Sequence, residues 1–329
     1  MVGVVAMAGG GRYRWLRRIE DLDPVRDHHE IYRLSAGYEF PFDYQRALEL
    51  ALLRTFCVPS ISALLDATGE FRLRAQRRYD DTALLMAELL EHGYDSPRGR
   101  EALRVVNRAH GRYAISDDDM RYVLSTFVYE PIDWLDRYGW RPLHEHERLA
   151  AFHYYRAVGA RMGIRDIPAD FAAFRDFKDA YERETFRHTA SNERVAAYTL
   201  DLFASWYPAP LRPAARVAVR ALLPPEMRAA FGLPAAPRRL STVLDGALRA
   251  RAAVVRLLPA RSVSKLTRAP RNRSYPGYPR GYRPADLGAP PPPPGIDPAL
   301  LRDGLRRYGG GPVEGVDPVA VPVDDDPAP

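Results

Sequence analysis

The sequence predicts an all-α fold, a multi-helix bundle followed by a disordered, proline-rich C-terminal tail. Three observations carry this. Between about residues 40 and 260, apolar residues recur at steps of three and four, the period of an amphipathic helix, and few stretches alternate as strands do. Gly, Pro and Ser-Asn signals cut that region into lengths typical of helices. Residues 270–329 then hold 15 of the 30 prolines, including the run 290–294, a composition that buries too little apolar surface to order itself. The expected division is an N-terminal segment over 1–34, a helical domain over 35–268 and the tail over 269–329.

The elements follow from local signals. One helix runs from about Glu70 to Glu91 and stops at Gly93, a usual C-terminal residue. A second begins after Pro97 and reaches Arg112. Ser116 before three aspartates is an N-cap with acids in the first turn, so a third helix runs to about Tyr129, where Pro131 is expected to end it. Further helices are expected near 144–162, 169–189, 192–206, 212–222 and 238–258. No repeat of fixed period is present, which argues against a solenoid. Within the tail, Leu300, Leu301 and Leu305 are spaced so that a short helical turn can dock on the bundle.

Composition narrows the function. Apolar residues make up 46% of the 329, ample for a core. The net charge of +6 is spread over 48 basic and 42 acidic residues, with no dense patch or reading motif, which argues against nucleic acid as a partner. Cys57 is the only cysteine, so no internal disulfide or cysteine zinc cluster exists, in keeping with the reducing cytoplasm. The opening MVGVVAMAGGGRYRWLRR places its apolar run before its basic residues, the reverse of a secretory signal, and no stretch reaches the roughly 20 apolar residues of a membrane span. Trp15 beside Arg14, Arg17 and Arg18 leaves contact with a membrane surface as a second address.

Three apolar stripes carry polar residues where a core residue belongs. Leu103, Val106, His110 and Tyr113 share one helical face. Phe71, Ala75, Arg78, Thr82, Leu85 and Leu89 share another, with the cation and hydroxyl at its centre. Glu145, Leu149, Phe152, Arg156, Gly159 and Gly163 share a third, where the two glycines leave room beside Arg156. An unpaired charge on such a face costs several kcal/mol, so each arginine needs an anion. Ordinary buried ion pairs, for instance with Glu130 or Glu147, are one solution, and His110 would then be a satisfied core histidine. A buried ligand both anionic and metal-bearing is the other. Haem fits that description, since its iron takes a neutral imidazole and its propionates take cations.

Other metal chemistries fail on spacing. None of the eight histidines has Glu three residues before it, which removes the di-iron carboxylate pattern, and HExxH is absent. His144 and His146 point to different sides of a helix start, His28 and His29 sit in a polar stretch and are expected in solvent, and His92 suits a helix C-terminus. Cys57 lacks the glycine-rich surroundings of a haem-thiolate loop, and AGGGRY opens no strand-to-helix phosphate loop.

The segments NRAHGRYAIS, YVLSTFVYEPIDW and RAVGARMGI, in that order, resemble the MpaB-type oxygenases, relatives of the latex-clearing proteins, over about residues 35–230. The resemblance implies a helical bundle around a b-type haem, with His110 as the proximal iron ligand and Arg78-x-x-x-Thr82 beside the haem. In latex-clearing proteins a lysine just before that threonine can take the distal iron position; here that place holds Asp81, off the stripe, so the sixth position is expected open or water-filled. The glutamate proposed as base in the rubber enzymes has no match. The implied activity is a haem-dependent oxygenase using dioxygen on a small apolar, isoprenoid-like or lipid substrate, with oxidative cleavage of a carbon–carbon double bond as the relatives' reaction. A non-catalytic haem or lipid carrier and a plain helical scaffold are the alternatives, and no motif identifies a redox partner.

Overall fold

The stripes become packed helices in a computed structural model that describes residues 11–266 and 276–302. Among the described residues there are thirteen α-helices and no strand. Two short helices, α1 (Arg14–Glu20) and α2 (His28–Leu34), lead through a π turn at Ser35–Glu39 into α3 (Pro41–Thr55) and α4 (Pro59–Thr68). The long α5 (Glu70–His92) and α6 (Pro97–His110) pack against each other. α7 (Asp117–Tyr138) lies along α3 and also touches α8 (Glu145–Arg161) and α9 (Phe171–Thr185). α10 (Ala190–Ser205), α11 (Arg212–Leu222), α12 (Pro225–Ala230) and α13 (Arg238–Leu257) complete the bundle.

Local chemistry sets most of the boundaries. Gly93 ends α5 at φ +84°, a conformation that a side chain resists. Ser116 caps α7 by accepting the Asp119 amide, and His144 caps α8 by accepting the His146 amide. The main core runs through α3, α5, α6, α7 and α8, and a second core gathers Leu53, Phe56, Cys57, Phe71, Val195, Phe203 and Phe231. No single described helix is long and apolar enough to cross a membrane.

Several expectations are corrected. α7 does not stop at Pro131 but runs through it to Tyr138. The proline removes one helical hydrogen bond at a cost of about 3 kcal/mol. Beyond it, Ile132, Trp134 and Leu135 are all buried, and burying such side chains contributes about 1.5–3 kcal/mol each, which outweighs the break. Residues before 35 are part of the bundle: α2 packs on α8, and Ile31 and Tyr32 are fully buried. Trp15 is half-buried, with its indole N–H donated to the Arg261 carbonyl at 2.8 Å and its ring against Tyr38, so it holds the chain after α13.

The tail also departs from expectation. Residues 276–302 form an ordered strap across α5 and α6. The Gly277 amide donates to Asp80 at 3.0 Å, Tyr278 to Asp81, and Tyr282 to Glu88 at 2.8 Å. Arg112 donates to the carbonyls of Ala289 and Pro290, the Ala114 amide to Leu300, and Leu287 and Leu301 are buried. Proline-rich chain needs little entropy loss to hold one path, and acids on α5 supply the anchors. Leu305 and the rest of the tail, 267–275 and 303–329, lie outside the described residues.

Candidate functional site

α5 and α6 bring Arg78, Thr82 and His110 together. α5 is interrupted at Arg74, whose backbone is non-helical, and Arg78 follows one turn later. The Arg78 guanidinium donates to the Thr82 hydroxyl, which in turn donates to the Arg78 carbonyl at 3.3 Å. The guanidinium also lies over the Phe71 ring. Among the described residues it has no carboxylate within ion-pairing distance, and desolvation lowers its affinity for its proton.

His110 ends α6 facing that cation. Desolvation, together with the charge of Arg78, pushes its pKa down to about 4, while the nearby Val106 carbonyl acts weakly the other way. The imidazole is therefore neutral at physiological pH. Its Nδ1 is buried and makes no hydrogen bond. Asn107, one turn earlier, gives its amide to the Arg161 carbonyl at 3.0 Å and keeps a buried Oδ1 without a donor. Tyr113 stands close enough for Arg78 to affect its hydroxyl, which burial pushes above its ordinary value. Asn107 lies four residues after Leu103 and three before His110, on the edge of the same helical face, where its short polar side chain gave no signal apart from the apolar neighbours.

Arg156 sits over Phe152 with its Nε buried and unbonded, and among the described residues it has no carboxylate within ion-pairing distance. No hydrogen bond or ion pair joins it to Arg78 or His110. The room expected at Gly159 is filled, since a Cβ there would meet Leu124 at 2.5 Å and Ile167 at 2.7 Å. At Gly163, which turns the chain at φ +71°, the expected room is present, since a Cβ there would meet nothing within 4 Å. The two carboxylates considered as partners are taken: Glu130 pairs with Arg54 at 2.9 Å and Lys178 at 3.1 Å, and Glu147 with Arg141 at 2.6 Å.

Asp81 is buried and accepts from Tyr278 of the strap, and burial raises its pKa. Next to it a concavity of about 230 Å³ is lined by Glu70, Arg74, Arg77, Asp81, Gly288 and Pro290. His28 and His29 are half-buried rather than free in solvent: His28 bonds Tyr94 at 2.6 Å, and His29 bonds the Leu90 carbonyl at 2.7 Å. Among the described residues no group of three or more His, Cys, Asp or Glu can hold a metal ion. A metal at His110 must therefore bring its remaining donors with it.

Residues 47–257 match the family model described as the catalytic domain of ER-bound oxygenase mpaB/B' and rubber oxygenase. The chain belongs to this family. A curated relative, the ER-bound oxygenase mpaB of Penicillium roqueforti, is 34% identical over 184 residues, covering 50% of this chain and 62% of its own. The ER-bound oxygenase mpaB of Penicillium brevicompactum is 31% identical over 154 residues, covering 44% of this chain and 39% of its own. The chain thus spans less than two thirds of these relatives' length. Among solved structures, latex clearing protein in its closed state matches with a TM-score of 0.50 and 17% identity, over 73% of this chain and 69% of that one, which shows a fold shared with that protein. Arg78, Thr82, His110 and Arg156 fall inside the family match, whereas α1, α2 and the strap fall outside it.

Proposed function

We propose that this family member is a haem-b-dependent oxygenase that uses dioxygen on an apolar, isoprenoid-like or lipid substrate, with His110 as the axial iron ligand. The observation that carries the reading is the pairing at α5–α6. A neutral imidazole with an unbonded buried nitrogen faces a guanidinium that no described carboxylate contacts, Asp81 and Glu70 acting on it only from farther away. Haem fits this donor set, because its macrocycle supplies the other metal donors and its propionates supply the missing anion.

When bound, haem supplies the redox chemistry that activates dioxygen. The chain's residues do the rest. His110 offers a ring nitrogen already free of its proton, so binding releases none at neutral pH. Arg78 neutralises the ligand's anionic edge, and Thr82 fixes the direction of its guanidinium. Leu85, Leu89, Leu103 and Val106 keep water from the same face. Asp81 is committed to Tyr278, which speaks against a second protein donor from that position. Arg156 is proposed as a second cation for the ligand, since it too lacks a carboxylate. Oxidative cleavage of a carbon–carbon double bond is the proposed reaction, on the strength of the family.

The test is a visible spectrum of purified protein supplied with haem. A Soret band is expected for the wild type and none for His110→Ala at unchanged helical content by circular dichroism. An unchanged Soret band in that variant overturns the assignment. Turnover of an alkene with dioxygen then separates an enzyme from a carrier.

A further inference from the structure

The even spread of charge expected from the whole chain fails over one stretch. Residues 206–263 hold ten arginines against two carboxylates, Glu226 and Asp245, a net charge of +8 where the whole chain carries +6. Helix α13 concentrates the effect. Its inner side, through Leu248, Ala252 and Val255, packs on the main core. On its outer side Val243, Ala247, Ala250, Val254 and Leu257 follow at steps of four, three, four and three, and all five are exposed. Val243 is 65% exposed, Val254 58% and Leu257 86%. Such spacing is what a helix normally buries, yet among the described residues nothing covers it. Leu258 and Val263 extend the exposed apolar surface past the helix end.

A groove of about 540 Å³ runs beside this stripe, between α13 and the end of α7, lined by Arg137, Tyr138, Trp140, Arg249, Arg256 and Leu257 among others. Asp245 accepts from Arg137 at 2.6 Å and pairs with Arg249 at 3.0 Å. Among the described residues Arg256 has no carboxylate within ion-pairing distance. Three guanidinia with one carboxylate therefore border an exposed apolar stripe.

We propose that the outer face of α13 and this groove dock on an anionic phospholipid bilayer. The stripe would enter the interface while the arginines meet headgroup phosphates. Charge complementarity favours this occupant over a second copy of the chain. Two copies of this face would set arginine against arginine, and five short side chains bury less than a stable dimer needs. A nucleic acid would match the arginines but leave the apolar stripe in water.

The proposal does not rest on the haem reading. Its test is co-sedimentation of the full chain with vesicles of phosphatidylcholine alone and of phosphatidylcholine mixed with phosphatidylglycerol. Binding is expected to the mixed vesicles only, and to weaken as salt is raised. Arg256→Gln should weaken partitioning about fivefold, and Val254→Asp with Leu257→Asp should abolish it. Both variants should keep the wild-type melting temperature and haem spectrum, because the replaced side chains are exposed. Equal binding to neutral vesicles, or binding to neither, overturns the proposal. So does a wild-type dimer in analytical ultracentrifugation that the double variant splits, which would give this face to a second copy.

Discussion

The bundle buries positive charge in two ways. Around α3, α7 and α9, Arg54 and Lys178 meet Glu130 and Glu182, with Lys178 to Glu182 at 2.8 Å and Arg54 to Glu182 at 2.7 Å. Arg141 is likewise held between Glu39 and Glu147, at 3.0 and 2.6 Å. Along α5 and α6, by contrast, Arg78 faces an imidazole and a hydroxyl. Burial costs every such cation, yet only the first set is met by carboxylates at contact distance, while Asp81 and Glu70 reach Arg78 from farther away. The lesson is that the same bundle meets some buried arginines with carboxylates at contact distance and leaves Arg78 without one.

Removing a cation from the balanced set should have the largest effect. Arg141→Met leaves Glu147 without a cation and Glu39 with Arg12 alone, at 3.5 Å, and denaturant unfolding should show a loss of about 3–5 kcal/mol. A loss below 1 kcal/mol would mean that the two carboxyls readily take up protons and that the balance is not needed.

Glu49 sharpens the comparison as an intermediate case. It is buried and accepts from Arg46 and Tyr79, yet burial still pushes its pKa up to about 7 from an ordinary 4.5. A carboxyl whose folded pKa is raised favours folding at low pH, and this contribution is lost as pH rises through about 7. Glu49→Gln should remove that slope, a difference of about 3 kcal/mol between pH 4.5 and pH values above 7, read by melting at each pH. Parallel wild-type and variant curves would show that Glu49 is already satisfied.

The unanswered cation should behave in the opposite way. Arg78→Gln should leave the ligand-free protein as stable as the wild type or more so. It should weaken haem binding by about 1.5–3 kcal/mol, roughly tenfold to a hundredfold, in a spectroscopic titration. Arg156→Gln in the same titration tells whether the second unpaired guanidinium reaches the ligand; the expected direction is the same. Destabilisation of ligand-free Arg78→Gln comparable to Arg141→Met would erase the distinction.

The smallest effect is expected at the strap. Tyr278→Phe removes one donor from Asp81, which retains the Gly288 amide, so about 1 kcal/mol should be lost on unfolding. No change at all would mean that the hydroxyl bond contributes nothing beyond what water offers.

Much of the fold was legible because its signals are local. Gly93, Ser116 and Pro97 act on their own neighbours, and the matching helices start and stop where they dictate. The stripes carrying Arg78, Thr82 and His110 were equally plain in the spacing. What stayed hidden depends on distant residues. The apolar surface that carries α7 through Pro131 is supplied by other helices, above all α3. Nothing in the spacing says that Glu130 and Glu147 are claimed by Arg54, Lys178 and Arg141. The strap's proline content masks single anchors, Tyr278, Tyr282, Leu287 and Leu301, whose partners lie far back in the chain. The polar company of His28 and His29 likewise concealed Tyr94 and Leu90.

The strap also gives assembly an order. Gly277 and Tyr278 are each 197 residues from the aspartates they hold, and Tyr282 is 194 from Glu88. Contacts that close so long a loop form late, after the helices have found their local neighbours. On a growing chain α5 and α6 are complete long before residues 276–302 exist, so Asp80 and Asp81 meet water first and protein afterwards. The outer side of α5, with the concavity beside Asp81, is then the last to be covered, and until the strap arrives it stays open to solvent.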